Sequence, residues 1–201
     1  MTKLFLVRHG DTELHSSRLF VGHCDAELNA FGLKQVERLR DRLATEKIDA
    51  IYASDLKRAL VTAETIASRH QLEVITCSEL REISYGEIEG LTFDKISQLY
   101  PEVAELCTTW SLQLKFPGGE SFGELEGRVS KFLDRLKQHA PEQTILIVAH
   151  GGPIRLMVCL LLGVALVHWR QFYIDLASLS IIDTYPQVAI LNLLNDISHL
   201  R

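Results

Sequence analysis

Three short segments of this chain carry residues that a hydrophobic core does not need. Arg8-His9-Gly10 follows the apolar run Leu4-Phe5-Leu6-Val7, and His150-Gly151-Gly152 follows a second apolar run over 144–149. Arg58 stands at the start of an expected helix, where its cation opposes the helix dipole. A guanidinium stays charged and offers a planar fork of donors. A neutral imidazole can act as nucleophile, base or hydrogen-bond partner. Glycine directly after the histidine lets the backbone turn and approach a ligand closely. Two arginines and two imidazoles brought together suit a phosphoryl group, whose growing negative charge is stabilised by fixed donors. The chain has no P-loop and no evident acidic metal cluster, so the expected chemistry is covalent catalysis by histidine. The plain alternatives are a surface arginine at 58 and structural histidines at the two strand ends.

Uniting those segments requires a particular kind of fold. Continuous apolar runs mark strands buried on both faces of a sheet. In open α/β sheets, ligands bind beyond the carboxyl ends of such strands. Further strands are expected over 48–53, 72–76, 172–174, 179–184 and 188–193. Asn29 is expected to cap a helix over 30–45, with Phe31, Val36, Leu39 and Leu43 as its apolar stripe. Ser54-Asp55 reads as the cap pair of a helix over 56–69. Helices are also expected over 93–100 and 102–114, separated by Pro101. Ser121-x-x-Glu124 is a capping box that opens a helix to about residue 138. Pro153 begins a buried helix, while 10–29 and 79–90 read as loops. This βα alternation predicts one domain over 1–201, an α/β chain folded as a three-layer α/β/α sandwich with a mainly parallel central sheet.

Composition narrows the partners. With 201 residues, 47% of them hydrophobic, the chain can bury one large core. Its net charge of -5 argues against a broad basic surface, so nucleic acid is not an expected partner. The longest apolar run, 156–167, is too short to span a bilayer, so no membrane is expected either. Cys24, Cys77, Cys107 and Cys159 are widely spaced and form no C-x-x-C pair, as expected of reduced thiols in the cytoplasm. The first strand is expected to begin almost at once, so no signal peptide is expected. The late apolar strands could form an edge that pairs with a second copy as a homodimer.

Taken in order, the motifs resemble those of the histidine phosphatase superfamily, which includes the cofactor-dependent phosphoglycerate mutases. The similar segments are Leu6-Val7-Arg8-His9-Gly10-Asp11-Thr12, Gly22-x-x-Asp25-x-x-Leu28-x-x-x-Gly32-x-x-Gln35 and Ser54-Asp55-Leu56-x-Arg58-Ala59-x-x-Thr62-Ala63. Leu80-x-Glu82-x-x-x-Gly86-x-x-Glu89-Gly90 and Val148-Ala149-His150-Gly151-Gly152-x-Ile154-Arg155 complete the set. The resemblance implies a phosphoglycerate mutase-like fold and a site without metal or cofactor. It implies that His9 attacks phosphorus and becomes phosphohistidine, while Arg8, Arg58 and His150 hold the phosphoryl oxygens. It implies that Glu82 protonates the leaving oxygen and then activates water. Gly151, Gly22 and His15 fall at positions implied to bind substrate. His15 departs from the family, which commonly has Asn there, and Val21 replaces a position that is often polar.

The resemblance favours a phosphatase acting on a small phosphorylated metabolite. The phosphoglycerate mutases carry an insertion after the acid segment, where this chain is expected to have two short helices. Residues 93–101, Trp110 and Pro117-Gly118-Gly119-Glu120-Ser121 most resemble α-ribazole phosphatases. Broad-specificity and sugar-phosphate phosphatases have similar segments and remain alternatives, as does a mutase. A non-catalytic phospho-ligand binder would typically lack His9 or Glu82, both present here. A metalloprotein reading would draw on His9, His15, His23 and Cys24, which lack a zinc-site spacing.

Overall fold

The two apolar runs lie side by side at the centre of one sheet. In the computed structural model, which describes residues 1–109 and 111–201, β1 (Thr2–Arg8) pairs in parallel with a strand over Thr144–Ala149. Lys3 faces Thr144 and Arg8 faces Ala149. That register brings His9 and His150 out of the sheet at the same level. Numbered along the chain, β2 is Ala50–Ala53, β3 Val74–Thr76, β4 Thr144–Ala149, β5 Leu179–Thr184 and β6 Ala189–Asp196. The sheet runs β3-β2-β4-β1-β5-β6. Its first four members are parallel, and β5 and β6 close one side antiparallel.

Pleating sends alternate side chains of each strand to opposite faces. Leu4, Leu6, Ile145 and Ile147 enter one core; Phe5, Val7, Leu146 and Val148 enter the other. The helices are α1 (Glu13–Ser16), α2 (Ala30–Leu43), α3 (Lys57–Ala67), α4 (Phe93–Leu99), α5 (Pro101–Thr109), α6 (Phe122–Leu136) and α7 (Gly151–Leu162). Side chains of α6 and α7 fill the first core, and those of α2 and α3 fill the second. The expected three-layer sandwich is therefore present. Among the described residues, no helix is long and apolar enough to cross a membrane.

Several local expectations need correction. The stretch read as a loop over 10–29 contains α1, capped by Thr12. Residues 172–174 are not a strand; a 3-10 segment, Leu166–Gln171, precedes them and the chain stays irregular to β5. Phe31 is 62% exposed. The buried face of α2 instead turns on Gly32 and Gln35, because the backbone of Asp11 packs where a Cβ on Gly32 would stand. Ser54 and Asp55 do not cap α3. Asp25 does so from a distant loop, its Oδ1 accepting from the backbone N–H of Lys57 at 2.7 Å. The helix expected to reach 114 ends at Thr109, and Trp110, used in the sequence comparison, lies outside the described residues. Asn29 and the Ser121–Glu124 box cap α2 and α6 as expected.

Phe132 of α6 is fully buried and meets Tyr52 edge-on, with ring centroids 5.6 Å apart. Phe132→Ala should lower the unfolding free energy by about 3–5 kcal/mol through lost burial and a residual cavity. Urea unfolding should show a reduced midpoint with an unchanged slope.

Candidate active site

A cleft of about 530 Å³ opens at the carboxyl ends of β1 and β4. Arg8, His9, His15, Gly22, Arg58, Glu82 and Gly151 line it. His150 is fully buried, with its ring centroid 4.9 Å from that of His9. The structure thus brings together all eight residues singled out in the sequence.

His9 is held in one tautomer. Its Nδ1 lies 2.7 Å from the Gly10 carbonyl oxygen. A carbonyl only accepts, so Nδ1 carries the proton and Nε2 keeps its lone pair in the neutral ring. Burial, with the nearby His150, Arg58, His15 and Arg8, holds the pKa well below the ordinary imidazole value. Burial and the two arginines do the same to His150. Its Nε2 lies 2.8 Å from Ser54 Oγ, while Nδ1 is buried without a partner.

The arginines are clamped by main-chain oxygens. Arg58, only 1% exposed, donates from Nη1 to the Cys24 carbonyl and from Nη2 to the Gly22 carbonyl, both at 2.7 Å. Arg8 donates from Nη1 to the Ile174 carbonyl at 2.7 Å. Burial lowers the pKa of each. In both residues Nε is buried and has no partner. A buried donor without an acceptor costs free energy. Arg8 Nε, Arg58 Nε and His150 Nδ1 all carry that cost beside His9, and an oxyanion would relieve it.

Gly22 adopts a left-handed conformation, φ +50°, and a Cβ there would run into the Glu89 carboxylate. Its measurable contribution is the carbonyl that holds Arg58. His15 occupies the position where the family commonly has Asn. Its Nδ1 lies 2.9 Å from Thr12 Oγ1, and its ring centroid 5.1 Å from that of His9. Burial and the two arginines push its pKa down to about 3.

Glu82 reaches the cleft from the 79–90 segment, which two 3-10 turns, Ser78–Leu80 and Gly86–Ile88, keep short and stiff. Its Oε1 accepts from the backbone N–H groups of Ile83 (3.0 Å) and Gly152 (3.1 Å). A Cβ on Gly152 would collide with that oxygen. Arg128 of α6 clamps the segment by donating to the carbonyls of Glu79, Arg81 and Glu82 and to the Glu120 carboxylate. Glu120 in turn accepts from the Ser84 N–H at 2.8 Å. Gly119 packs where a Cβ would strike the Ser84 carbonyl and the Gly86 amide. The Pro117-Gly118-Gly119-Glu120 turn is therefore a brace for the acid segment, and it says little about the leaving group.

Sequence reasoning missed several supports. Ser54, read as a cap, orients His150. Asp55 pairs bidentately with Arg81, at 2.7 and 2.6 Å. Arg128 did leave a signal, because it falls three residues after Leu125 and four before Phe132, on the apolar stripe of α6. Arg155, the last residue of the His150 motif, lines the cleft too, as do Trp169 and Arg170, which had no signal beyond their types. His23 and Cys24 are engaged away from His9, with the Glu82 carbonyl and the Glu89 carboxylate. Among the described residues, no group of three or more His, Cys, Asp or Glu side chains is placed to hold a metal ion.

Comparison with known proteins covers nearly the whole chain. The model of the histidine phosphatase superfamily (branch 1) matches residues 4–197. Phosphoserine phosphatase 1 of Hydrogenobacter thermophilus is 36% identical over 200 residues, covering 100% of this chain and 95% of that protein. The adenosylcobalamin/alpha-ribazole phosphatase of Escherichia coli is 31% identical over 194 residues, covering 96% and 95%. The crystal structure of the alpha-ribazole phosphatase from Shigella flexneri superposes with a TM-score of 0.90 at 32% identity, covering 96% of each chain. With its motifs in order, its sheet matched and its length covered almost end to end, the chain belongs to the histidine phosphatase superfamily.

Proposed function

We propose that this protein is a phosphomonoesterase that hydrolyses a small phosphorylated metabolite through a phosphohistidine on His9. The observation that carries this reading is the set of buried nitrogens without partners, Arg8 Nε, Arg58 Nε and His150 Nδ1, around a neutral His9. They supply donors where the equatorial oxygens of a transferring phosphoryl group would lie, preorganised and shielded from water. The neutral His15 ring borders the same cradle, and the N-terminus of α7 at Gly151 adds to its positive potential.

In the first step the Nε2 lone pair of His9 attacks phosphorus and the P–O ester bond breaks. Protonated Glu82 gives its proton to the departing alcohol oxygen. In the second step the Glu82 carboxylate takes a proton from water, and the water oxygen attacks phosphorus. The P–N bond breaks, inorganic phosphate leaves and His9 is restored. One carboxyl group acts first as acid and then as base. The 3-10 turns and the Arg128 clamp hold the segment that carries it. The chain between Glu89 and Pro117 supplies only the short helices α4 and α5 among the described residues, which favours hydrolysis over retention of the phosphoenzyme. The four cysteines are free thiols, which supports a reducing, cytoplasmic setting.

Phosphate release should be measured on p-nitrophenyl phosphate, phosphoserine, 3-phosphoglycerate, sugar phosphates and α-ribazole 5′-phosphate. The wild type should release phosphate from at least one, and His9→Ala should release none while keeping its fold. Near-normal turnover by His9→Ala would overturn the covalent mechanism. Glu82→Gln should slow kcat by about two to four orders of magnitude, the usual worth of general acid–base catalysis. A silent Glu82→Gln would place the acid elsewhere.

The neutral histidines also make stability depend on pH. His9 and His150 titrate well below the ordinary value of 6.5 in the folded protein, and His15 at about 3. Below about pH 6.5 the unfolded chain therefore binds more protons than the native one, and stability falls with falling pH. Each such group costs up to about 1.4 kcal/mol per pH unit, the full slope being reached about one unit below the unfolded pKa. Urea unfolding between pH 6.5 and 5 should show this loss, and His15→Asn should make the slope shallower by up to about 1.4 kcal/mol per pH unit, most at the acid end. An identical slope in His15→Asn would contradict the buried, neutral state of that ring.

A further inference from the structure

One irregular segment, 172–178, reaches the site through its backbone as the chain passes from Leu166–Gln171 into β5. The Ile174 carbonyl accepts from Arg8 Nη1 at 2.7 Å, and the Phe172 carbonyl accepts from Arg155 Nε at 2.8 Å. The Ala177 N–H donates to the His9 carbonyl at 3.0 Å, and the Ser178 carbonyl accepts from the Arg8 N–H at 3.3 Å. In all four contacts the segment contributes main-chain atoms. The aim of the Arg8 guanidinium therefore depends on how this backbone is held. Connecting segments are more mobile than the elements they join, so the hold has to come from elsewhere.

It comes from β6. Asn195 grips Asp175 at two points: its Oδ1 accepts from the Asp175 N–H at 2.6 Å, and its Nδ2 donates to Asp175 Oδ2 at 2.9 Å. The Asp175 N–H and the Ile174 carbonyl are opposite ends of one planar peptide unit. Asn195 thus orients the same peptide plane that holds Arg8. A sheet irregularity places it there. Leu179 faces Asp196 while Ile181 faces Leu193, so three steps of β6 span two of β5. Such a bulge turns a side chain out of the regular pleat. Asn195 lies within it at φ +55°, a left-handed conformation that asparagine visits more readily than most residues. Its own N–H donates to the buried Ser180 Oγ at 3.0 Å. His199 is a second fastening, with Nε2 2.9 Å from the Ala177 carbonyl. A carbonyl only accepts, so Nε2 donates. Ala177 is itself left-handed, φ +53°, a strained state for alanine that persists only where the surroundings enforce it.

We propose that Asn195 is a positioning residue for phosphoryl transfer: by fixing the 174–175 peptide plane it sets where the Arg8 guanidinium meets the phosphoryl group. The proposal rests on the phosphatase reading above and extends it to a residue outside the cleft. Asn195 is not among the described residues that line the cleft, so its effect on the reaction passes through Arg8. Ile174 and Ala177 are buried, so the segment stays packed when the Asn195 amide is removed. What changes is the direction of its carbonyls.

Asn195→Gly tests this, because glycine keeps the left-handed backbone and deletes the amide. With p-nitrophenyl phosphate, kcat should fall by about tenfold to a hundredfold, the cost of a small misplacement at the reacting group. Orthovanadate takes the five-coordinate shape of the transferring phosphorus and is tied to His9. Its inhibition should weaken by a similar factor. Inorganic phosphate can shift to keep its contacts, so its inhibition should change by less than about threefold. The ratio of the two inhibition constants does not depend on the folded fraction. Asn195→Asp keeps the acceptor but sets a second carboxylate against Asp175, and it gives the same readout if Asn195→Gly folds poorly. Adding Asp175→Asn to Asn195→Asp exchanges donor and acceptor across the same contact and should recover most of the loss. In an Arg8→Lys background, Asn195→Gly should cost less than about threefold further, because the two act on one contact. Near wild-type kcat and vanadate inhibition in Asn195→Gly would overturn the proposal. So would an equal loss of vanadate and phosphate inhibition, an undiminished effect in the Arg8→Lys background, or an exchange no better than Asn195→Asp alone. In each of those cases the wild type would still hydrolyse p-nitrophenyl phosphate in a His9-dependent way. Failure of the wild type to hydrolyse any monoester would instead remove the phosphatase reading, and this proposal with it.

Discussion

The parallel pairing of β1 with β4 is the constraint on which the rest of this site depends. Its register places Arg8 opposite Ala149, so the residues that follow, His9 and His150, leave the sheet together and their rings stand 4.9 Å apart. A slip of one residue would turn each strand's side chains to the opposite face. Leu4 and Leu6 would then leave the core that α6 and α7 fill. The two hydrophobic cores thus enforce the register, and the register enforces the geometry of the proposed site.

Collecting cations at that point opposes burial. The arginines are tolerated because main-chain oxygens from remote segments receive part of each guanidinium: Cys24 and Gly22 for Arg58, Ile174 for Arg8. These carbonyls satisfy the Nη donors and leave Nε of both arginines without a partner. The same desolvation that weakens the cations holds His9 and His150 neutral. A single environment therefore keeps His9, the proposed nucleophile, unprotonated and suits the surrounding donors to an anion. Local stability is given up at this place, and an oxyanion ligand returns it.

The carboxyl group proposed as the acid is held by a different device. Glu82 belongs to an irregular segment, which by itself would leave a carboxylate mobile. Arg128 makes three carbonyls of that segment, those of Glu79, Arg81 and Glu82, acceptors of one side chain, and Glu120 closes the network. Gly86 and Gly119 are needed because their backbones touch; a Cβ on either would meet main-chain atoms of the other's loop. The Gly-Gly-Glu signature is thus explained by the positioning of a carboxyl group.

Much of this was legible from the amino-acid sequence, and for identifiable reasons. Unbroken apolar runs over 4–7 and 144–149 announce strands covered on both faces, and Asn29 and Ser121 mark helix starts through local hydrogen bonds. Arg8, His9, Arg58, Glu82 and His150 could be picked out because charged and imidazole groups at strand and helix ends have no role in packing. What local pattern could not reveal is anything that depends on long-range partners. Ser54 looks like a cap until His150 arrives from 96 positions away, and Asp25 caps α3 across 32 positions. Phe31 fits an apolar stripe by spacing, yet the approach of Asp11 to Gly32 rotates the buried face of α2 away from it. The sequence by itself determined the sheet, the order of its elements and the chemical types at the site. Tertiary structure alone decided which nitrogens are left unpaired, which tautomer His9 adopts and where Arg155 and Arg170 stand, because each follows from desolvation and from contacts between segments distant in the chain.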